Sequence, residues 1–211
     1  MDQPGILAIW NDCRPGREPE FERWFQGEHL EERLSVPGFL YGRRHQAISG
    51  VSGYFNFYLT QSPVVLTSKA YLERLNDPTP MTRKIMSEVF LNMSRTVCRR
   101  TIRRGAFRGA YAVTARFSDM PDPAWLTATI ESLMKTEIAT AGEIWNAADA
   151  VAPVSLEEKL RGSDKRIQSC VMLDTLRQSD AEEIGERISR DYPKAEVGVF
   201  RVLCQIGNGN L

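Results

Sequence analysis

Tyr111-Ala112-Val113-Thr114-Ala115-Arg116-Phe117, entered from Gly109 and followed by Pro121-Asp122-Pro123, is the stretch at which the chain starts over. A short apolar and β-branched run bounded by Gly and Pro reads as a strand. It repeats what stands at the beginning of the chain, where residues 6–10 are wholly apolar and end in the turn formers Asn11, Asp12, Pro15 and Gly16. Backward from Gly109, residues 19–34 predict a helix, because Pro19 suits a first turn and Phe21, Trp24, Phe25 and Glu28 recur at helical spacing before Pro37-Gly38. Phe39–Ser49 and Tyr54–Thr60 predict two strands of a hairpin around Gly50 and Gly53. A helix over 64–75, broken at Asp77-Pro78, a short helix over 82–90 and a strand over 93–103 complete this half. Forward from Gly109 come a strand over 111–117, a helix over 125–137, strands over 143–148 and 166–176, a helix over 181–191 capped by Asp180, and a closing strand over 196–206.

Each half therefore reads βαββαβ. Three echoes fall in the same order in both: Pro19 with Trp24 and Pro123 with Trp125; Leu59-Thr60-Gln61-Ser62 and Leu176-Arg177-Gln178-Ser179; Arg95-Thr96-Val97-Cys98 and Arg201-Val202-Leu203-Cys204. Internal repetition of this kind argues for a tandem duplication, with halves 1–104 and 109–211, a linker at 104–108, and insertions at 78–90 and 150–165. Such a unit forms a four-stranded antiparallel sheet with its helices on one face and an apolar face left open. Two open faces pack against each other, so the expected class is α+β, with one chain supplying both halves of a barrel.

Composition narrows the function classes. The chain has 211 residues, 42% hydrophobic and 26% charged, which is globular composition. Lys plus Arg and Asp plus Glu are 27 each, so no overall field steers it toward nucleic acid or an acidic membrane. No run approaches the ~18 apolar residues of a spanning helix, and Met1 to Gly5 lacks the blocks of a secretion signal; a cytoplasmic location and no membrane partner are expected. Cys13, Cys98, Cys170 and Cys204 lack CxxC spacing and read as buried reduced thiols. Phosphate loops, metal-ligand spacings and nucleophile elbows are missing from the pattern, so neither metal nor cofactor is predicted. Arg95, Arg99, Arg100, Arg103, Arg104 and Arg108 form the strongest charge run. With only Phe107 available for base stacking, it reads as a solvated strand end and linker paired to acidic groups elsewhere, not as a nucleic-acid surface.

The run Trp24-Phe25-Gln26-Gly27-Glu28-His29-Leu30-Glu31-Glu32-Arg33-Leu34, with Val36-Pro37-Gly38-Phe39 and Arg43-Arg44 behind it, resembles the dimeric α+β barrel superfamily and in particular its EthD-like members. Tyr71 to Asn76 before Pro78-Thr79-Pro80 is similar to the second-helix region of bacterial proteins in that group. The resemblance covers residues 5 to about 103. Relatives often carry Pro after the His-Leu pair where this chain has Glu31, so the helix is expected to run on unbroken. The second half has no counterpart of His29. The resemblance implies two ferredoxin-like halves forming a dimeric-type barrel within one chain, either a monomer with an internal pseudo-dimer or a homodimer. The family includes ring-opening isomerases, cofactor-independent oxygenases and haem degraders, so membership does not fix a reaction.

His29 is the natural candidate for proton transfer near neutral pH. Helical spacing puts it beside Phe25 and close to Trp24, with Glu28 and Arg33 near enough to orient or charge the ring. Tyr41, Arg43 and His45 alternate onto one strand face, where Tyr41 and Arg43 would reach the same small-ligand pocket. The expected site is thus catalytic His29 with Trp24, Glu28, Arg33, Tyr41 and Arg43 as binding residues, taking an aromatic or lactone-like molecule without a cofactor. Two plainer readings stand beside it. His29 can be a packing residue among solvated charges, and the Tyr41 strand can be a sheet edge. Haem is disfavoured because only His29 or His45 could ligate its iron conventionally, and neither has an evident partner. The rival function is a non-catalytic scaffold that binds a protein partner, which a filled barrel with an exposed His29 and an apolar outer patch would favour; a deep pocket beside His29 would favour the ligand site.

Overall fold

The computed structural model describes residues 3–149 and 153–207. The first half runs β1 (Gly5–Cys13), α1 (Glu18–Trp24), a π-helical turn (Phe25–His29), α2 (Leu30–Leu34), β2 (Phe39–Ser49), β3 (Tyr54–Thr60), a 3-10 turn (Pro63–Thr67), α3 (Lys69–Asn76), α4 (Pro80–Glu88) and β4 (Phe90–Arg104). The second runs β5 (Tyr111–Phe117), α5 (Pro123–Lys135), β6 (Ala139–Ala147), α6 (Leu156–Arg161), β7 (Ser169–Thr175), α7 (Gln178–Asp191) and β8 (Glu196–Gly207). Strand order is β4-β1-β3-β2 in the first half and β8-β5-β7-β6 in the second, the same arrangement twice.

The halves do more than face each other across a core. Antiparallel ladders between β2 and β8 and between β4 and β6 close all the strands into one barrel. Closure satisfies the backbone groups that two stacked sheets would leave unpaired at four edges. β2 is therefore no edge strand.

Closure sorts side chains by parity. Ile6, Ala8, Trp10, Phe55, Phe57 and Trp145 point inward and pack with Met172 and Phe200 as the barrel core. Leu7, Ile9, Tyr54 and Tyr58 point outward and are covered by Phe21, Trp24 and Phe25 with the other first-half helices. Val113, Ala115, Val171 and Leu173 lie under α5 and α7.

One end of the barrel is plugged by paired charge. Fully buried Asp174 binds Arg43 at 2.5 Å, Arg108 at 3.0 Å and the Gly109 N–H at 3.2 Å. Glu143, also fully buried, takes Arg108 at 2.6 Å, Arg100 and Arg103 at 3.3 Å each, and the Trp145 indole N–H at 2.7 Å. The basic run is thus consumed in part inside the barrel instead of lying wholly in solvent.

Other expectations change locally. The span 64–75 splits because Ser68 is extended and its hydroxyl accepts from the Tyr71 N–H, restarting the helix. α7 begins at Gln178 with Arg177 at its N-cap, leaving Asp180 in the first turn rather than capping it. The stretch expected as an insertion at 150–165 contains α6; its residues 150–152 lie outside those described. Cys98 and Cys170 are buried as expected, whereas Cys13 and Cys204 are only partly so, and all four are free.

Removing Asp174 leaves Arg43 and the Gly109 N–H buried without their acceptor. Asp174→Ala is expected to cost about 3–5 kcal/mol in urea unfolding, against no more than about 0.5 kcal/mol for Asp191→Ala on the exposed end of α7. Equal losses in the two variants would show that the plug contributes nothing.

Candidate functional site

The helix carrying the quoted motif neither breaks nor runs on regularly. At Phe25–His29 it widens by one residue, so that the Leu30 N–H bonds to the Phe25 carbonyl. Single π turns of this kind favour functional positions because they re-aim a side chain within an otherwise regular helix. Here the turn sends the His29 ring inward, 6% exposed, with its centroid 4.2 Å from that of Trp24 and 5.3 Å from that of Phe25.

His29 lines a cavity between the outer face of the first-half sheet and its helices, together with Arg33, Asn56, Tyr58, Glu157 and Arg161. Its volume, about 30 Å³, is the space of a single water. Four buried polar atoms on these lining residues make no hydrogen bond within the protein: His29 Nδ1, Arg33 Nη1, which lies 3.9 Å from a Glu32 carboxylate oxygen, Asn56 Oδ1 and the Tyr58 hydroxyl. Buried polar groups are nearly always paired, so four around one cavity mark it as a place where something polar is accommodated.

Electrostatics fix the protonation states. Burial, then the positive charges of Arg33, Arg161 and Arg44, holds the His29 pKa well below its usual 6.5, so the ring is neutral at neutral pH. Burial pushes the Tyr58 hydroxyl upward and keeps it protonated. Burial alone would weaken Arg33 as a cation, but Glu157, Tyr71 and Glu32 outweigh it, and Arg33 forms a buried ion pair with Glu157. Arg161 extends the cluster, 3.9 Å from Glu157 and 2.7 Å from Asp164. Behind Phe25 sits Arg44, fully buried, its guanidinium 4.2 Å from the Phe25 ring centroid and 4.7 Å from that of Phe21, with none of its nitrogens hydrogen-bonded.

The structure brings together only part of the expected set. His29 and Arg33 line the cavity. Trp24 stacks on His29 and donates its indole N–H to Thr82 at 2.9 Å. Glu28 turns toward α4, accepting from Thr79 at 2.5 Å and Thr82 at 2.8 Å, which fixes the π turn against that helix. Tyr41 and Arg43 do not join them. The outward positions of β2 are Gly42 and Arg44; Tyr41, Arg43 and His45 point the other way, so the sheet itself separates them from His29. Tyr41 bonds to Gln205 at 2.8 Å, Arg43 to Asp174, and the His45 Nδ1 faces the Phe55 carbonyl at 3.0 Å.

Asn56, Tyr58, Glu157 and Arg161 were not foreseen at the site. Glu157 and Arg161 come from α6, so the cavity is not confined to residues 1–104. A signal for α6 was present: Ser155-Leu156-Glu157-Glu158 is a capping-box pattern, and the Ser155 hydroxyl does accept from the Glu158 N–H. Which surface that helix covers was not in the pattern.

No protein-family model matches the sequence, and no curated protein matches it. Solved structures do match the fold. A candidate monooxygenase from Fusobacterium nucleatum subsp. nucleatum superposes over 100% of this chain and 97% of its own, with TM-score 0.63 and 8% identity. An anthrone oxidase-like protein does so over 100% and 95%, with TM-score 0.58 and 9% identity. A heme-binding protein from Thermus thermophilus does so over 97% and 92%, with TM-score 0.50 and 10% identity. The residues here do not suit haem. Both histidines lie before residue 50, His45 inside the packed barrel and His29 at a cavity far smaller than a porphyrin. What the comparisons share with this chain is architecture, and the chain has the dimeric α+β barrel fold with both halves in one polypeptide.

Proposed function

We propose that the chain binds a small organic molecule in the first-half cavity and removes a proton from it with His29. The observation that carries this reading is the neutral, buried imidazole whose Nδ1 has no hydrogen-bond partner in the protein, beside an Arg33 Nη1 that likewise makes no hydrogen bond. With its proton on Nε2, the ring presents the Nδ1 lone pair to an acidic C–H or O–H of the ligand. The anion formed lies against Arg33 and the Tyr58 hydroxyl, donors already aimed and desolvated. Trp24 fixes the ring plane, and Glu28 fixes the turn that carries it. The proton then returns at another carbon, which is an isomerisation, or the anion reacts with dioxygen, which is a cofactor-independent oxygenation.

An aromatic or lactone-like ligand of the kind handled by EthD-like proteins exceeds the present volume, so binding requires α6 to move. Among its ties, beside the Leu156 N–H to the Asn76 side chain, is the Arg33–Glu157 pair, with which a ligand anion would compete directly. On this reading the chain is a duplicated pair of halves, 1–104 and 109–211, acting in the cytoplasm, with α6 lent across as a cover. The scaffold alternative called for a filled barrel, which the packed interior supplies, and for an exposed His29, which a ring 6% exposed does not; the deep pocket expected for a ligand site is here a cavity of about 30 Å³.

A screen of phenols, hydroxyarenes and lactones, scored by thermal shift and then by turnover, tests the proposal. His29→Ala is expected to weaken binding and to lower turnover by about 10²–10⁴. A variant that binds every wild-type ligand equally well and turns it over at the same rate would sink the assignment.

The pH dependence has a defined sign. Because the His29 pKa is depressed, the base form persists below pH 6.5, and kcat/KM is expected to stay flat through 6.5 and fall only at lower pH. An acid limb centred at or above 6.5 would exclude His29 as the base. His45 is depressed too, chiefly by burial. The unfolded chain takes up protons near 6.5 that the folded one refuses, so stability is full above 6.5 and declines below it. His45→Phe should flatten that decline in melts recorded from neutral pH down to about 5.

A further inference from the structure

The two ends of the barrel differ in their balance of charge. At the plugged end, Arg43, Arg100, Arg103 and Arg108 converge on Asp174 and Glu143. At the other end a cleft of about 620 Å³ opens between the β2–β3 turn, the start of β4, the end of β5 and the approaches to β7 and β8. That volume falls within the roughly 300–1,000 Å³ of small-ligand sites. Its charged lining residues are Arg116, Lys165, Arg166, Lys194 and Glu196, four cations against one carboxylate. Among the described residues, Lys165, Arg166 and Lys194 have no carboxylate within ion-pair distance, and the single acid, Glu196, is 60% exposed and held by Arg116 at 2.8 Å.

These cations are not all loose surface groups. Arg116 is 6% exposed, lies 4.9 Å from the Trp10 ring centroid and donates to the buried Ser52 hydroxyl at 3.3 Å, so its guanidinium is held at the base of the cleft. Lys165 is fixed through its backbone, which donates to the Met93 carbonyl and accepts from the Arg95 N–H, both at 2.9 Å. Ser94 and Ser52, both buried, add hydroxyls to the lining, as Asn92 adds an amide. Asp12 stands nearby but is already engaged by the Gly53 N–H at 2.6 Å and the Asn92 amide at 2.7 Å.

We infer that this barrel mouth is a second ligand site, separate from the His29 cavity, for a small molecule bearing a phosphoryl or multiple carboxylate groups. The buried fork of Arg116 matches the geometry of an oxyanion. The flanking lysines and Arg166 supply charge that no protein carboxylate offsets, and Glu196 occupies the Arg116 fork until the anion displaces it. The lining holds no aromatic side chain on which bases would stack, and the chain's net charge is zero, so a discrete anion is favoured over a nucleic-acid strand.

Isothermal titration of the intact chain with pyrophosphate and, separately, with tricarballylate distinguishes phosphoryl from carboxylate ligands. Binding of at least one is expected, weakening as salt rises. The Lys165→Ala, Lys194→Ala double variant, altered only at exposed side chains, should bind about tenfold more weakly with an unchanged melting temperature. Glu196→Gln should bind several-fold more tightly by freeing Arg116, and His29→Ala should bind as wild type does, which keeps this site's fate independent of the other. Failure of both anions to bind, equal affinity in the double variant, or preference for a single-stranded oligonucleotide would overturn the inference.

Discussion

Closure of the strands into a hydrogen-bonded ring governs where every side chain of this protein can act. Once β2 pairs with β8 and β4 with β6, each strand presents alternate residues to two spaces that do not communicate, a barrel interior and a helix-covered outer layer. A single residue of register decides which space a group enters. Arg43 and Arg44 are neighbours in sequence, yet one is neutralised inside the barrel by Asp174 and the other lies outside, stacked on Phe21 and Phe25. The same parity keeps His29 and His45 on opposite sides of the sheet and gives them unrelated surroundings.

The two spaces resolve buried charge differently. In the interior, Asp174 and Glu143 gather arginines from β2, β4 and the linker between the halves, so the charges that seal the barrel also tie one half to the other. In the outer layer of the first half, Arg33 and Arg161 pair with Glu157 and Asp164, while Arg44, among the described residues, has no carboxylate bonded to it. Burial lowers the pKa of Arg44, and its contacts are with ring faces, which recover only part of the hydration it has lost. At His29, burial first, and then the charges of Arg33, Arg161 and Arg44 that a proton on the ring would meet, keep the imidazole neutral. The burial that strips hydration from Arg44 is also the chief cause of the neutral histidine.

Most of this architecture was legible in the sequence, because strand alternation, Gly and Pro punctuation and helical spacing are local signals. Tyr111–Phe117 restarting the pattern of residues 6–10 was enough to expect two alike halves, though not their closure through the β2–β8 and β4–β6 ladders. The side of the sheet was less legible. Alternation grouped Tyr41, Arg43 and His45 correctly, but it could not say whether that face looked toward the helices or into the barrel, since both are buried and tolerate aromatic residues. The π turn was invisible for a similar reason: Phe25 and His29 are four apart in either geometry, and only the tertiary packing of Trp24 on Thr82 and of Glu28 on α4 selects the wider turn. Glu157 and Arg161 lay furthest out of reach. Their helix carried a readable cap, but its docking site is set by a buried ion pair to Arg33, more than a hundred residues away.

The halves have the same strand order and opposite characters. Beneath α5 and α7 the second half packs Val113, Leu173, Ile130 and Ile184 into an apolar layer, and Phe117, Trp125 and Tyr192 close one end of it edge to face. Among the described residues, every buried side-chain polar atom without a hydrogen bond belongs to residues 29–58, those of Arg43 and His45 inside the barrel and the others in the outer layer. Unpaired buried groups cost stability that a merely structural layer has no reason to give up. Their confinement to one half, opposite a counterpart that has none, means that the fold does not demand them. The second half shows this layer built by apolar packing alone, and the outer layer of the first half departs from that pattern at His29, Glu32, Arg33, Arg44, Asn56 and Tyr58.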